Sequence, residues 1–218
     1  MIDFTTARLN MVESQVRPNK VTDEAVLAAL IGVPRERFVP EHLAAVAYVD
    51  EDVPLGEGRF LIEPMVIARM LQLAAIGREE RVLEIGCGTG YASVVLSRLA
   101  REVVALEESA TLAARARALI GQAKAANVTV VEGELRAGWP ERAPYDVILI
   151  GGAVAALPPS VAEQLGEGGR LVAVVKPAAG MGKAVLMTRT RGILGQRPVF
   201  DAATPLLPEL VPEPSFVF

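Results

Sequence analysis

Cysteine, histidine, aromatic residues and excess positive charge are all scarce in this sequence of 218 residues. One cysteine, Cys87, cannot form an intrachain disulfide, and one cysteine with one histidine is too few ligands for a closed structural zinc site. The 22 Lys and Arg against 26 Asp and Glu give a net charge of -4, which argues against a surface that holds DNA or RNA. We therefore expect no metal, no nucleic-acid partner and a reducing compartment.

Long apolar runs are also missing. No stretch approaches the roughly 18 uninterrupted apolar residues of a membrane span, and the N-terminus lacks the basic start and apolar core of a signal peptide. With 51% hydrophobic and 22% charged residues, the chain can still bury a substantial core. We expect a cytoplasmic, single-domain protein without a membrane partner. The sequence does not fix the oligomeric state, although a monomer is favoured.

The first 78 residues have a helical pattern. A helix is predicted to begin at Thr22, where Asp23 and Glu24 complement its positive end, and to end at Gly32. A short helix is predicted over 40–48, a loop over 52–59 and a further helix over 64–75. This region is expected to be a helical addition to the remainder of the chain.

From Arg81 onward, short apolar runs alternate with helical stretches. The runs lie at 82–85, 103–106, 128–131, 147–150 and 171–175, and the helical stretches at 91–100, 110–126 and 160–165. This alternation predicts an α/β fold whose mostly parallel central sheet has helices on both faces. Segments 184–189 and 193–200 suit an antiparallel C-terminal edge. The Pro-rich tail, 204–218, is expected to be extended and unable to join a central ladder.

A glycine-rich loop follows the first predicted strand, with the sequence Glu84-Ile85-Gly86-Cys87-Gly88-Thr89-Gly90. Glycines at the carboxyl end of a parallel strand let the backbone approach a ligand closely. A dinucleotide fingerprint would need a third glycine at position 91, which is Tyr91. The observed Gly-x-Gly-x-Gly spacing instead resembles the S-adenosylmethionine (SAM) motif of class I methyltransferases, and a plain strand-to-helix turn is the remaining alternative. Cys87 is interpreted as a spacer.

Glu107 ends the second predicted strand, 21 residues after Gly86. A carboxylate at this place can accept hydrogen bonds from both hydroxyls of a ribose, in a NAD enzyme as in a methyltransferase. Gly133 and Glu134 end the third strand, where class I methyltransferases usually bind the adenine, although a simple turn would look the same. The alternative for Glu107 is a solvated charge at a strand end.

Most of the chain resembles the protein-L-isoaspartate O-methyltransferase family. The segments that carry this likeness are 33–40, 47–50, 54–58, 82–96, 138–140, 144–146 and 165–171. The resemblance implies a Rossmann-like class I methyltransferase domain over 1–218, with 1–78 on the substrate side and 79–218 as the core and tail. It also implies SAM as cofactor and isoaspartyl peptides or proteins as partners. Glu84, Gly86, Cys87, Gly88, Gly90, Glu107, Gly133 and Glu134 are then the expected cofactor-binding residues.

One segment departs from the family pattern. Where the family has a Gly-Gln-Thr-Ile-Ser-like stretch before Gln-Pro, this chain has Gly58 to Pro64, with Phe60 and Ile62 in place of the two hydroxyl residues. Phe60, Leu61 and Ile62 are the expected lining of the methyl-transfer pocket, with no certain catalytic residue. Arg59 is interpreted as a solvated loop charge or a ligand for an acidic substrate, and Glu63 as a charge that could repel one.

The lost hydroxyls leave three functions open. The first is an isoaspartyl carboxyl methyltransferase, whose acceptor is already an anion at neutral pH and needs no general base. The second uses the same cofactor on another, less charged acceptor. The third is a homologue that acts as a non-catalytic regulatory or interaction module. In none of the three is His42 expected to be catalytic.

Overall fold

The computed structural model describes residues 2–178 and 180–211. Its N-terminal part consists of helices and one small hairpin. The Asp23 side chain caps the second helix by accepting hydrogen bonds from the Ala25 and Val26 amides, so the cap is Asp23 and not Thr22. In chain order the elements are α1 (Phe4–Met11), α2 (Glu24–Gly32), β1 (Val53–Gly56), β2 (Arg59–Leu61) and α3 (Pro64–Ala74).

The hairpin corrects the prediction of a loop over 52–59. Val53 pairs with Leu61 in antiparallel register, and these side chains face inward because alternate residues of a strand point to opposite faces. The turn uses Gly56 and Gly58, whose φ angles are 100° and 72°. The predicted helix over 40–48 is a shorter 3₁₀ segment, Glu41–Val46.

A seven-stranded sheet forms the centre of the molecule. The strands are β3 (Arg81–Ile85), β4 (Glu102–Glu107), β5 (Val128–Glu132), β6 (Tyr145–Val154), β7 (Leu165–Val175), β8 (Lys183–Thr190) and β9 (Ile193–Asp201). Their order is β5-β4-β3-β6-β7-β8-β9. The sheet is parallel from β5 to β7 and antiparallel from β7 to β9, which confirms the predicted mostly parallel sheet with an antiparallel C-terminal edge. The helices between them are α4 (Tyr91–Leu96), α5 (Ala110–Gln122) and α6 (Pro159–Ala162).

The three predicted helices of the core are shorter in the structure. α4 ends at Leu96, and the Asn127 side chain donates to the carbonyls of Ser97 and Ala100 in the turn that follows. α5 ends at Gln122, two residues before Lys124, whose φ of 56° is left-handed. The stretch predicted as a helix over 160–165 is mostly α6, and Leu165 already begins β7. No helix in the described ranges combines the length and apolar character that crossing a bilayer requires.

The order of the strands reverses beside β3. β4 and then β5 lie on one side of it, and β6 and then β7 lie on the other, so a crevice opens at the carboxyl ends of β3 and β6. β3 is buried on both faces, as the central strands of a covered parallel sheet are. The crevice therefore lies next to the glycines that follow β3 and within β6, which locates the candidate site.

Candidate active site

The glycine-rich loop lies at this crevice in a conformation that requires glycine. Gly86, Gly88 and Gly90 have φ angles of 74°, 57° and 88°, in the left-handed region that other residues rarely adopt. The amides of Gly86 and Cys87 both donate to the carbonyl of Leu106, at 2.9 and 3.1 Å, which ties the loop to the end of β4. The three glycines therefore form a backbone cradle at the end of β3.

The glycines do not all face the same neighbours. A Cβ at Gly90 would lie 2.8 Å from Ile120 Cδ1, so this glycine allows the loop to pack closely on α5. A Cβ at Gly88 would lie 3.0 Å from Leu55 Cδ1 in the hairpin. Only Gly86 of the three lines the cleft described below, so the loop binds the neighbouring elements together as well as shaping the cleft.

Glu84 and Cys87 are buried on either side of Gly86. Burial, together with the nearby charge of Glu107, raises the pKa of Glu84 to about 7 against the opposing effect of a hydrogen bond from Ser93 Oγ. Burial is also the main cause that raises the pKa of the Cys87 thiol, so the thiol is neutral. A neutral, buried thiol fits the interpretation of Cys87 as a spacer.

Glu107 is fully buried at the end of β4, which corrects the alternative of a solvated strand-end charge. Its Oε2 accepts from the Gly88 amide at 2.7 Å. Its Oε1 accepts from the amides of Glu108 and Ser109, at 3.0 and 3.1 Å. The carboxylate is therefore held rigidly and aimed across the glycine loop, where an acceptor for ligand hydroxyls is needed.

Arg59 donates to the same carboxylate. Its Nη1 lies 2.7 Å from Glu107 Oε1 and 3.4 Å from Glu209 Oε1, and only 2% of its side chain is exposed. The interpretation of Arg59 as a solvated loop charge is therefore wrong, whereas a role as ligand for an acidic substrate stays a prediction. The physical reason is the alternation along β2, which turns Arg59 and Leu61 inward and leaves Phe60 37% exposed.

The three residues predicted for the methyl-transfer pocket line one apolar cleft. Phe60, Leu61 and Ile62 meet there with Glu84, Gly86, Cys87, Tyr91 and Gly151. Two groups of residues predicted separately are thus brought together by the fold. Gly133 and Glu134 do not line this cleft: Gly133 donates its amide to the Glu107 carbonyl, and Glu134 is exposed. Their assignment to the adenine stays a prediction.

A C-terminal strap, defined here as Thr204–Glu209, closes the crevice above β6. The Ala153 amide donates to the Pro205 carbonyl at 2.9 Å, and the Leu207 amide donates to the Ala153 carbonyl at 2.8 Å. The strap thus pairs with a central strand at Leu206, contrary to the prediction for the tail. Pro205 and Pro208 lack amide donors, which limits the pairing to this short bridge. Residues 212–218 of the predicted tail lie outside the described residues.

The strap brings Leu207 and Thr204 to the cleft. A Cβ on Gly152 would lie 2.6 Å from Leu207 Cγ, and a Cβ on Gly86 would lie 3.3 Å from Leu207 Cδ2. Leu207 therefore packs directly on both glycines. Thr204 is 1% exposed, and its Oγ1 has no hydrogen-bond partner among the described residues. It lines a recess continuous with the cleft, together with Arg59, Phe60, Ile62, Gly152 and Leu207.

Comparison with known proteins assigns the chain to a family. The model of the family "Protein-L-isoaspartate(D-aspartate) O-methyltransferase (PCMT)" matches residues 7–198. The chain belongs to this family. The protein-L-isoaspartate O-methyltransferase of Opitutus terrae is 43% identical over 188 residues, which are 86% of this chain and 81% of that protein. That of Methanoculleus marisnigri is 43% identical over 170 residues, 78% of this chain and 77% of that protein.

Solved structures agree with the family assignment. A protein-L-isoaspartate O-methyltransferase structure superimposes with a TM-score of 0.81 at 25% identity, covering 94% of this chain and 67% of that one. A Plasmodium falciparum structure, described as an isoaspartate methyltransferase of this family in complex with S-adenosyl-L-homocysteine, has a TM-score of 0.81 at 18% identity. It covers 96% of this chain and all of that one, and shows the fold.

The residues of this family member fit SAM in part. The glycine cradle and the buried Glu107 are what a nucleoside with a ribose diol needs. Arg59 already occupies Glu107 Oε1, however, and Leu207 packs on Gly86. The free space in the cleft itself is about that of one water molecule. The donor set therefore fits the cofactor once these two side chains move.

Three residues of this family member's site were not predicted from the sequence. Arg59 was not predicted to be the buried partner of Glu107, and the strap residues Thr204 and Leu207 were not predicted to lie at the cleft. No local signal marks Arg59, because the polarity of Arg59 and Phe60 favours the reverse of the burial that the structure shows. No local signal marks the strap residues either, because their position depends on pairing with Ala153, some fifty residues earlier in the chain. The exposed His42 lies outside the site, as expected.

Proposed function

We propose that this chain transfers a methyl group from SAM to the side-chain carboxylate of isoaspartyl residues in peptides or proteins. The proposal rests on one observation. Phe60, Leu61 and Ile62, the predicted lining of the methyl-transfer pocket, line the same cleft as Gly86 of the glycine loop. Membership of the isoaspartate methyltransferase family supports this assignment of donor and acceptor. Residues 1–78 would then supply the acceptor side of one functional unit, and residues 79–218 the cofactor side.

The cofactor would be held by the backbone of Gly86 and Gly88 and by Glu107. When bound, SAM supplies a methyl group on a sulfonium that is its own leaving group. The isoaspartyl carboxylate has an ordinary pKa near ~3.9, so it is already an anion at neutral pH and needs no base from the protein. The chain's contribution is to orient the acceptor and to exclude water, and orientation alone can be worth several kcal/mol.

The apolar wall of the cleft affects how well an acceptor carboxylate can bind there. Ile62 cannot donate a hydrogen bond, and an apolar wall raises the cost of desolvating an anion. Thr204 Oγ1 is the buried hydroxyl that lines the adjoining recess without a partner. We infer that Thr204 donates to the acceptor carboxylate in place of the hydroxyls that are missing at positions 60 and 62.

A second candidate function is a family homologue that does not methylate isoaspartate. The observation that favours it is the occupied cleft, with Arg59 on Glu107 and Leu207 on the glycines. Such a protein would act on another acceptor or serve as an interaction module. For either function, the single free cysteine, Cys87, suits a cytoplasmic location, and a monomer stays a prediction.

The test is transfer of radiolabelled methyl from SAM to an isoaspartyl peptide, with the matching aspartyl peptide as control. The proposal expects label in the isoaspartyl peptide only. It also expects Ile62→Ser to raise the rate, by about 10-fold or more, because a hydrogen bond to a charged group contributes about 1.5–3 kcal/mol. A wild type and an Ile62→Ser variant that both bind SAM and both leave the peptide unlabelled would rule the activity out.

A further inference from the structure

Arg59 and a bound nucleoside compete for one atom of Glu107. Glu107 receives four donors among the described residues: the backbone amides of Gly88, Glu108 and Ser109, and the side chain of Arg59. The three amides belong to the glycine loop and to the turn after β4. Arg59 is the one side chain of the four, and it is therefore the donor that a ligand could replace.

The acceptor atom has no room for a further donor. Oε1 of Glu107 accepts from Arg59 Nη1, from the Glu108 amide and from the Ser109 amide. A carboxylate oxygen offers about two lone pairs, so three donors already exceed its usual number. A ribose hydroxyl can bind this oxygen only after the guanidinium leaves.

The same guanidinium also lies over the glycine loop. A Cβ on Gly86 would be 2.6 Å from Arg59 Nη2, so Arg59 covers the face of Gly86 that a glycine leaves open. The approach of a ligand to the backbone of Gly86 and its hydrogen bond to Glu107 are thus blocked by one side chain. Both are features on which the proposed cofactor site depends.

The C-terminal strap holds Arg59 in this position. Glu209 Oε1 pairs with Arg59 Nη1 at 3.4 Å, and Glu209 Oε2 is buried with no partner among the described residues. A Cβ on Gly58, next to Arg59, would lie 2.9 Å from Pro208 Cγ. The strap and Arg59 therefore make one closed arrangement, and a strap that lifts removes the second carboxylate from Arg59.

We propose that Arg59 competes with the cofactor for Glu107: a nucleoside with a ribose diol binds only when Arg59 leaves Glu107 and the part of the strap after Pro205 lifts from β6, while Thr204 stays in its recess. This inference rests on the proposed function, because it takes the cleft to be a SAM site. The closed arrangement lowers the affinity for the nucleoside by the fraction of molecules that are open. A Gln at position 59, as in the family pattern, is neutral and gives up the pairing with both carboxylates.

The test is calorimetric titration of S-adenosylhomocysteine into the full chain and three variants, with folding verified by thermal unfolding. Arg59→Gln is expected to bind at least 10-fold more tightly than the wild type, and to unfold at a lower temperature without ligand. Glu209→Gln, which removes the strap carboxylate but leaves Arg59 paired with Glu107, is expected to give a smaller gain and serves if Arg59→Gln does not fold. Arg117→Gln, which removes an exposed pair with Glu132, is the control and should change nothing.

The outcomes separate the two proposals. If the wild type binds the nucleoside and Arg59→Gln binds no more tightly, the competition is overturned while the proposed function stands. If neither protein binds it, the proposed cofactor site fails and the competition fails with it. Hydrogen exchange adds a second readout, since the amide of Leu207, bonded to Ala153, should exchange faster in the complex. An amide that stays equally protected would overturn the lifting of the strap.

Discussion

At the scale of single residues, ionisation of the buried Glu84 carboxyl lowers the stability of the folded protein as the pH rises toward neutrality. Burial raises its pKa from an ordinary 4.5 to about 7. Because the folded-state pKa is the higher one, Glu84 favours the folded state below pH 4.5, and this contribution is lost as the pH rises toward 7. Above that pH a buried carboxylate persists, and the Ser93 hydroxyl is the hydrogen-bond donor it receives.

Replacing Glu84 by Gln should therefore stabilise the protein at high pH. A change in pKa from 4.5 to about 7 corresponds to about 3 kcal/mol. We expect Glu84→Gln to raise the free energy of unfolding by up to about that amount at pH 8, and by little near pH 4.5. Urea unfolding at both pH values measures this. A difference that does not depend on pH would show that Glu84 is not the titrating group.

Thr204 provides the second prediction at this scale. Thr204→Val keeps the shape and removes the hydroxyl, so kcat/KM for an isoaspartyl peptide should fall by about 10- to 100-fold, the equivalent of one hydrogen bond to a charged group. Thr204→Ser should retain most of the activity. Calorimetry with S-adenosylhomocysteine should give the same affinity for all three proteins. Unchanged kinetics in Thr204→Val would mean that this hydroxyl does not meet the acceptor.

At the scale of structural elements, the glycine loop depends on backbone conformation more than on any side chain. Gly90 has a φ of 88°, and a Cβ there would meet Ile120 Cδ1 at 2.8 Å. Gly90→Ala should therefore lower the free energy of unfolding by about 1–3 kcal/mol. The matched control is Gly121→Ala in α5, where a Cβ meets nothing within 4 Å. It should be neutral or stabilise by up to about 1 kcal/mol.

Thermal or chemical unfolding of these two variants decides the matter. A loss of stability in Gly90→Ala that is no greater than in Gly121→Ala would mean that the loop tolerates a side chain at this position. The cradle would then not require a glycine at position 90.

The elements also show what the sequence can and cannot predict. Alternating apolar runs and helical stretches predict the parallel strands correctly, because burial on both faces leaves a local pattern. The hairpin over Val53–Leu61 was missed, since Pro54, Gly56 and Gly58 have the composition of a loop. The Arg59–Glu209 contact joins residues 150 positions apart and leaves no local pattern at all. Phe60, Leu61 and Ile62 line one cleft with Gly86, which follows a strand end that the topology fixes, and their roles in binding stay predictions.

At the scale of the whole molecule, the charge around the acceptor side should make substrate binding depend on pH. Burial, together with the charges of Asp52, Asp50 and Glu51, raises the pKa of Glu63 to about 7. Glu63 directly follows Ile62 of the cleft. Below this pH Glu63 is neutral, and above it Glu63 adds a charge that repels an acceptor carboxylate. Because Glu63 is only half-buried, the effect is screened by solvent and should be modest.

We expect KM for an isoaspartyl peptide to rise by about 2- to 3-fold from pH 6 to pH 8 in the wild type and to stay nearly level in Glu63→Gln. Steady-state kinetics across this range measures it. Glu84→Gln is the necessary comparison, because Glu84 lines the same cleft and also titrates near pH 7. A rise that is the same in Glu63→Gln as in the wild type would assign the pH dependence to another group.

The central claim is that the crevice at the ends of β3 and β6 is a SAM cleft whose key carboxylate is Glu107. A crystal structure of the chain with S-adenosylhomocysteine tests it most directly. The account predicts both ribose hydroxyls on Glu107, the nucleoside over Gly86, and Arg59 displaced from the carboxylate. The claim would be contradicted by a structure in which Arg59 is still bonded to Glu107 and the nucleoside, at saturating concentration, is absent or bound elsewhere.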